Sequence, residues 1–348
     1  MRLLSSSDAD ISLAASALKE GRLVAFPTET VYGLGGDAFN TNALARIFEA
    51  KKRPRFDPLI IHIAGINDLD RIADLELLDP SIRNKLDLLC EKLWPGPLTL
   101  ILPKRLEVPG LATSGLPTAA IRFPNHPVAQ KLIRLSTGAV AAPSANPFGC
   151  LSPTRAEHVR DQLGGEVDFI IDGGKTSVGV ESTVLDITAL PARILRPGGC
   201  SRESIEAVIG HVETGANPAA EAAPSGANLS ANVLSPGQLK SHYAPRTPLV
   251  LHPLGGLDEL PAGQNEGRLY FKTPDSGISS KSATEKTRVL SKTGNLIEAA
   301  ANLFDMLHEL DSLGLDVIHA EETPMEGLGA AINDRLRRAA AKTGEVYK

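Results

Sequence analysis

Residues 26–36 constrain the fold more than any other stretch of this 348-residue chain. The apolar run 23–26 predicts a buried strand, and Phe-Pro-Thr-Glu-Thr-Val-Tyr-Gly-Leu-Gly-Gly begins at its last residue, Phe26. Hydroxyls, one glutamate and three glycines favour a turn that opens toward a helix and lets a polar ligand approach the backbone. A glycine-rich connection that binds no ligand fits this stretch equally well.

Helix and strand patterns alternate from here to about residue 199, but the strands come too often for regular βαβ units. The pattern therefore predicts an α/β domain with a mixed, twisted sheet and packed helices. Residues 211–232 are rich in Ala, Asn, Gly, Pro and Glu without periodicity, as is typical of a flexible linker. We expect a first domain at 1–205, a linker at 206–246, and a smaller α/β domain at 247–348.

Charge and apolar patterning limit the class of protein. Residues 1–199 carry 22 basic and 22 acidic side chains, and residues 200–348 carry 14 and 19, so neither half has the basic excess of a free-standing RNA-binding protein. The sequence contains no apolar run long enough to span a bilayer and no signal-peptide pattern, so we expect a cytoplasmic protein without membrane contact. Cys90, Cys150 and Cys200 are too far apart for a metal-ligand cluster.

Charged side chains within apolar strands are the informative anomaly, because burying an unpaired charge is costly. Arg122 lies inside one predicted strand and Arg196 ends another, where each guanidinium can bind carboxylate or phosphate, or pair with a neighbouring acid. His62 in a buried strand fits a core histidine as well as a ligand-binding residue. Ser144 and Asn146 can face one ligand or cap a turn.

Motifs for nucleophilic catalysis are missing from the sequence, as are the Gly-x-x-x-x-Gly-Lys-Ser/Thr phosphate loop and His-Glu-x-x-His. What remains is a set of hydroxyls, guanidiniums and one lysine. Such a set can neutralise phosphate charge and hold a carboxylate, while the reactants supply the nucleophile.

The order of these motifs resembles that of the threonylcarbamoyl-adenylate synthases, in their longer two-domain form. The resemblance covers the whole chain and rests on Pro27-Thr-Glu-Thr-Val-Tyr-Gly-Leu, Lys51-Lys-Arg-Pro, Pro58-Leu-Ile-Ile-His, Trp94-Pro-Gly-Pro-Leu-Thr, Ile121-Arg-Phe-Pro, Ala142-Pro-Ser-Ala-Asn, Glu181-Ser-Thr-Val, Leu195-Arg-Pro-Gly, Ser235-Pro-Gly with His242-Tyr-Ala-Pro, and Gly327-Leu-Gly-Ala-Ala-Ile-Asn-Asp-Arg-Leu. It implies a YrdC-like first domain, a lid at 235–245 and a Rossmann-like C-terminal domain.

The resemblance also implies a reaction. L-threonine, bicarbonate and ATP would give threonylcarbamoyl-adenylate and pyrophosphate, with Mg²⁺ on the phosphates, as the first step toward threonylcarbamoyl adenosine in tRNA. A downstream transfer complex would take the intermediate to tRNA, so direct tRNA binding would be transient or absent. Two alternatives stay open: a non-catalytic RNA-binding or ribosome-associated module, and a carbamoyl-adenylate transferase with another acceptor.

Site residues follow from the resemblance position by position. The threonine-binding residues would be Thr30, His62, Arg122, Ala142 and Ser182. The nucleotide-binding residues would be Arg53, Asp57, Thr118, Ser144, Ser152, Arg196 and Tyr243. The catalytic signatures would supply Lys51, Arg53, Ser144 and Asn146. An acid at Asp57 would repel phosphate, so we expect it to reach the ribose or base, or to make no ligand contact. Metal ligands cannot be assigned from the sequence.

Overall fold

The computed structural model describes residues 1–215, 243–261, 264–274 and 285–341. Its helices are α1 Asp8–Lys19, α2 Thr41–Lys51, α3 Pro80–Leu93, α4 Pro127–Leu135, α5 Ala156–Leu163, α6 Arg202–Ile209, α7 Leu296–Asp311 and α8 Gly329–Ala340. Its strands are β1 Arg2–Leu4, β2 Val24–Phe26, β3 Gly33–Asp37, β4 Ile60–Ile63, β5 Leu98–Pro103, β6 Thr118–Arg122, β7 Ala139–Ala141, β8 Phe169–Ile171, β9 Thr183–Asp186, β10 Arg193–Arg196, β11 Glu213–Thr214, β12 Leu249–His252, β13 Glu266–Tyr270, β14 Thr287–Val289 and β15 Val317–Glu321.

The first domain is built on one large mixed sheet. Its strands follow the order β1-β8-β2-β3-β7-β4-β6-β5-β9-β10-β11, with parallel and antiparallel neighbours. The mixed sheet expected from the sequence is therefore confirmed. Helix α6 and strand β11 continue this domain to Thr214. The predicted domain boundaries remain predictions, because residues 216–242, which hold most of the expected linker, lie outside the described residues.

Alternation of side chains along the strands gives the sheet two apolar faces. In β2, Ala25 belongs to the core that includes Leu44 and Leu86 of α2 and α3. Its neighbours Val24 and Phe26 belong to the opposite core, which α1 and α4 cover. Helices on both faces hold the central strands in place, so the strand ends are a rigid platform for side chains.

The glycine run after residue 32 does not lead directly into a helix, which corrects the expectation from the sequence. Gly33–Asp37 is a strand that pairs antiparallel with β2, and α2 begins only at Thr41. A Cβ at Gly35 would lie 2.7 Å from the Phe26 ring and 2.9 Å from Val140. The absence of a side chain at Gly35 therefore lets β3 pack tightly between β2 and β7.

The second domain is a smaller parallel α/β unit. Its sheet has the order β12-β15-β13-β14, and α7 and α8 pack on it through Leu303, Phe304, Ile332 and Leu336. Every described helix is too short or too polar to cross a membrane.

The two domains share an apolar core and several buried polar contacts. Val31, Leu151 and Val180 of the first domain belong to the same buried cluster as the second domain's α7. Asp305 of α7 forms ion pairs with Arg155 at 2.7 Å and with Lys175 at 2.8 Å. The side of α7 that faces the first domain is therefore held by both burial and charge.

Candidate active site

Strand register brings three polar residues to one edge of the first sheet. Arg122 at the end of β6 pairs with Thr99 at the start of β5. Residue Ser182 immediately precedes β9, whose first residue pairs with Leu98, while Arg196 at the end of β10 pairs with the second residue of β9. Residues that are far apart in sequence therefore meet because four neighbouring strands begin or end at this edge.

A cavity lies at this edge, with an empty volume of about 520 Å³ including its open mouth. Its wall is formed by Thr28, Thr30, Val31, Gly33, Arg53, Ile60, His62, Arg122, Ala142, Pro143, Ser144, Glu181, Ser182, Arg196 and Tyr243. The wall thus combines three guanidiniums with hydroxyls and small side chains. All five residues expected at threonine are on it, and so are four of the seven expected at the nucleotide.

Arg122 is the centre of one half of the cavity. Its side chain is only 4% exposed, its Nη1 donates to the Thr30 hydroxyl at 2.8 Å, and its Nη2 lies 2.8 Å from a carboxylate oxygen of Glu29. Burial, and secondarily the Arg122 charge, lowers the pKa of the neighbouring His62 to about 3, so this imidazole is neutral at physiological pH. Its Nδ1 has no hydrogen-bond partner among the described residues.

Arg53 and Arg196 supply positive charge to the other half. Helix α2 is capped at its C-terminus by Lys52, whose φ of 51° turns the chain so that Arg53 enters the site. Arg53 is held by the carbonyls of Asp57 and Pro58 and by an ion pair of 2.8 Å with the Asp57 carboxylate. Arg196 donates to the carbonyl oxygen of Ser182 at 2.8 Å. Both guanidiniums are buried and fixed, which suits them to bind phosphate oxygens.

Five residues that the sequence assigned to the site lie off the cavity wall in the described part of the chain: Lys51, Asp57, Thr118, Asn146 and Ser152. The carboxylate of Asp57 is buried against Arg53. Thr118 is half-buried at the far end of β6 from Arg122, and the hydroxyl of Ser152 donates to Glu181. Their roles stay predictions, and the contacts of Lys51, Asp57 and Ser152 with residues of the wall favour an indirect part for these three.

Lys51 shows this indirect part in detail. Its Nζ donates to the backbone carbonyls of Ser144 and Asn146, and its side chain is 1% exposed. The Asn146 amide in turn donates to the carbonyls of Pro147 and Cys150. Burial, reinforced by the charge of Arg53, lowers the pKa of Lys51 well below its usual value. Lys51 and Asn146 therefore fix the loop after β7, and Ser144 of that loop reaches the cavity.

Residues that the sequence did not assign to the site include Thr28, Glu29 and Glu181. Glu181 is the one carboxylate on the wall among the described residues, and Glu29 pairs with Arg122 just behind it. Each is part of a motif already quoted, Pro-Thr-Glu-Thr or Glu-Ser-Thr-Val, so their proximity to the site was readable. The contacts of these three residues could not be predicted from the sequence, because they depend on which distant side chains pack against them in the fold.

A second cavity lies between the two domains and is larger, with an empty volume of about 1160 Å³. Its lining includes Glu157, Asp161, Glu309 and Asp311, and Arg246 is paired with Asp311. An acidic lining repels phosphate. The smaller, guanidinium-lined cavity is therefore the better candidate for an anionic substrate.

The fold and the site together define a class of protein: a two-domain α/β protein with a cavity for an anionic ligand at a strand edge of its larger sheet. A Sua5–YciO–YrdC family model, described as "Telomere recombination", matches residues 16–198, and a model described as "Threonylcarbamoyl-AMP synthase, C-terminal domain" matches residues 200–341. The chain belongs to this family, in its two-domain form.

Proteins with similar sequences match this chain along nearly its full length. A threonylcarbamoyl-AMP synthase of Pyrococcus abyssi is 44% identical over 94% of this chain and 93% of its own length. One of Bacillus subtilis is 42% identical over 97% and 94%. The crystal structure of P. abyssi Sua5 complexed with L-threonine has a TM-score of 0.83 and 39% identity, and covers 98% of both chains.

Proposed function

We propose that this chain is an L-threonylcarbamoyladenylate synthase, which makes threonylcarbamoyl-AMP and pyrophosphate from L-threonine, bicarbonate and ATP. The observation that carries the proposal is one cavity lined by three guanidiniums, those of Arg122, Arg53 and Arg196, which can hold a carboxylate and phosphates together. The names of the full-length relatives and the threonine complex of one of them support it.

The reaction needs positioning more than it needs a protein nucleophile. The threonine ammonium group first loses a proton to give the free amine. The amine then attacks the carbon of carbon dioxide or bicarbonate and loses a second proton, which goes to solvent in the first case and leaves with the displaced hydroxide as water in the second. A carbamate oxygen then attacks the α-phosphorus of ATP, and the bond from that phosphorus to the bridging oxygen breaks to release pyrophosphate. Holding both reactants and neutralising the phosphates lowers the barrier without a covalent enzyme intermediate.

The contacts support a role for each group in this scheme. Arg122 binds the threonine carboxylate through its fork, while Thr30 orients that fork from Nη1. Neutral His62 offers its unbonded nitrogen to the same substrate, because a pKa of about 3 makes it a hydrogen-bonding group and a poor proton acceptor. The Ser182 hydroxyl, which shares a hydrogen bond of 2.8 Å with Thr99, lies between the threonine half and Arg196.

The expected Mg²⁺ does not fit a site built by protein ligands. The described residues contain no group of three or more His, Cys, Asp or Glu side chains placed to hold a metal ion. Glu181 is engaged by Ser152 and by a buried arginine of the second domain. We therefore propose that Mg²⁺ enters bound to the ATP phosphates, and no catalytic step above depends on a protein-bound metal.

Threonylcarbamoyl-AMP is a reactive mixed anhydride, so an acceptor must take its acyl group soon after release. We propose that a transfer complex acting on tRNA consumes it, and that the protein works in the cytoplasm, where ATP and tRNA are available. Direct tRNA binding by this chain is not required by the proposal. The even charge balance of residues 1–199 supports that division of labour.

The test is pyrophosphate release from ATP, with threonine and bicarbonate omitted in turn. Each omission is expected to abolish release, and Arg53→Gln is expected to reduce it at least about tenfold through loss of a charge-assisted phosphate contact. Arg55→Gln is the matched control, because Arg55 is two residues away and exposed. Release without threonine would favour a transferase with another acceptor. Salt-dependent binding to duplex RNA without any release would favour the RNA-binding alternative.

A further inference from the structure

Arg335 of the second domain reaches the wall of the cavity in the first. Its side chain, carried by α8, is 1% exposed, although arginine is seldom fully buried. Nε donates to a carboxylate oxygen of Glu181 at 2.9 Å, and Nη1 donates to the carbonyl of Pro197 at 2.6 Å. The guanidinium carbon lies 5.1 Å from the centre of the Tyr243 ring.

Arg335 also forms an ion pair of 2.9 Å with Asp334, the preceding residue of α8, which is paired with Arg338 as well. Its other three contacts belong to the nucleotide half of the site. Glu181 and Tyr243 line the cavity, and Pro197 directly follows Arg196. The other strong ion pairs between the domains are made by Asp305 with Arg155 and Lys175, which do not line the cavity. Arg335 therefore differs from these interface residues, because it contacts side chains that line the cavity.

Electrostatics gives this contact a consequence for ATP. Burial opposes ionisation of Glu181, but Arg335 first and Arg196 second outweigh it and hold its pKa below the usual value. An ionised carboxylate on the wall would repel the phosphates of ATP unless a cation compensates it. Arg335 supplies that cation from behind the wall, so that Arg196, which lines the cavity, does not have to compensate Glu181 alone.

We propose that Arg335 is a positioning residue of the ATP subsite, through which the docked second domain neutralises Glu181 and holds Tyr243 against the cavity. The inference deepens the proposed function and depends on it. It makes ATP binding dependent on domain docking, while the threonine half around Arg122 is independent of the second domain's charge.

The experiment compares Arg335→Gln with the wild-type chain, using steady-state pyrophosphate release and ATP binding by calorimetry. Arg335→Gln is expected to raise the ATP KM and the ATP Kd at least about tenfold, because the uncompensated carboxylate faces the phosphates. The threonine KM is expected to change less than about threefold. The double variant Glu181→Gln with Arg335→Gln is expected to recover most of the ATP affinity, since the repelling charge is gone.

Two further variants keep the test decisive. Arg335→Lys retains the charge but loses the planar fork, so it is expected to bind ATP more tightly than Arg335→Gln but less tightly than wild type, and it serves as the folded alternative if Arg335→Gln does not fold. Arg155→Gln breaks an interface pair away from the cavity and controls for loosened docking. An unchanged ATP Kd in Arg335→Gln, an equal rise in the ATP and threonine KM values, or an Arg335→Lys as weak as Arg335→Gln would each overturn the inference.

The failure of this inference is distinguishable from failure of the proposed function. A wild-type chain that releases no pyrophosphate in the presence of threonine and bicarbonate would refute the function. Calorimetry with ATP alone would still test Arg335, because it does not depend on turnover. Active wild-type enzyme with normal ATP affinity in Arg335→Gln would refute the inference alone.

Discussion

Replacing Arg122 by alanine should have two separable effects, because this guanidinium has two partners of different kinds. One is the proposed substrate carboxylate, whose lost pairing costs about 2 to 5 kcal/mol of binding. The threonine KM should therefore rise by about 30-fold to several thousand-fold. The other partner is Glu29, 2.8 Å away, and both side chains are at most 6% exposed. Leaving this carboxylate buried and unpaired should cost about 3 to 5 kcal/mol of folding stability.

A second substitution separates the two effects. Glu29→Gln combined with Arg122→Ala removes the unpaired charge, so the double variant should regain most of the lost stability while its threonine KM stays high. Urea unfolding followed by the fluorescence of Trp94, the single tryptophan of the chain, measures stability, and pyrophosphate release at varied threonine measures binding.

Arg193→Ala is the control for a lost ion pair. Its pair with Glu213 is partly exposed, with 20% and 39% of the two side chains accessible, so its loss should cost under about 1 kcal/mol and leave the threonine KM unchanged. The reasoning is refuted if Arg122→Ala leaves the threonine KM unchanged. It is refuted equally if the double variant restores threonine binding together with stability.

Three further predictions concern docking, the loop after β7 and pH. Gly179→Ala should weaken docking of the domains by ~2 to 4 kcal/mol, measured by urea unfolding, because φ at this residue is +77° and the new Cβ would lie 2.3 Å from the Ala300 carbonyl oxygen. Gly174→Ala is the control. Gly174 has a similar φ but no atom within 4 Å of the new Cβ, so the substitution should cost only ~1 kcal/mol. Lys51→Met should lower kcat at least ~10-fold with little change in the threonine KM, since it frees the loop that carries Ser144; an unchanged kcat in the assay would contradict the positioning role. Burial first, and the His308 charge next, depress the pKa of His158 to about 3. The folded protein therefore favours the neutral imidazole, and this contribution to stability is fully present above pH ~6.5. As the pH falls from there toward 3, the free energy of unfolding decreases by up to ~1.4 kcal/mol per pH unit. Unfolding at pH 7.5 and 5 should show a smaller acid loss in His158→Gln, and an identical loss would disprove the assignment.

Positions of the site's main groups could be predicted from the sequence because they lie at strand ends. Arg122 and Arg196 are charges in apolar runs, and such charges persist where a ligand or a partner compensates them. The order of the motifs then identified the family, which the full-length relatives confirm. Local patterns were enough here, since each motif carries its own strand and turn.

Contacts between distant segments could not be predicted from the sequence. Lys51 was expected in the chemistry, but folding buries its Nζ under the carbonyls of a loop more than 90 residues away. The run Gly33–Asp37 was expected to lead into a helix, yet it is a strand that pairs with β2 and β7, and Phe26 and Val140 leave room only for glycine at position 35. Neither outcome is encoded in local propensity.

The sequence by itself determined the alternating elements, the two-domain organisation, the family and most of the polar residues that line the cavity. Tertiary structure alone decided how the charges are compensated. Arg122 is paired with Glu29 from the turn of residues 27–32, and Glu181 with Arg335, 154 residues further along the chain. The physical reason is that the cost of a buried charge depends on its neighbours in space, and those neighbours are set by strand register and domain docking.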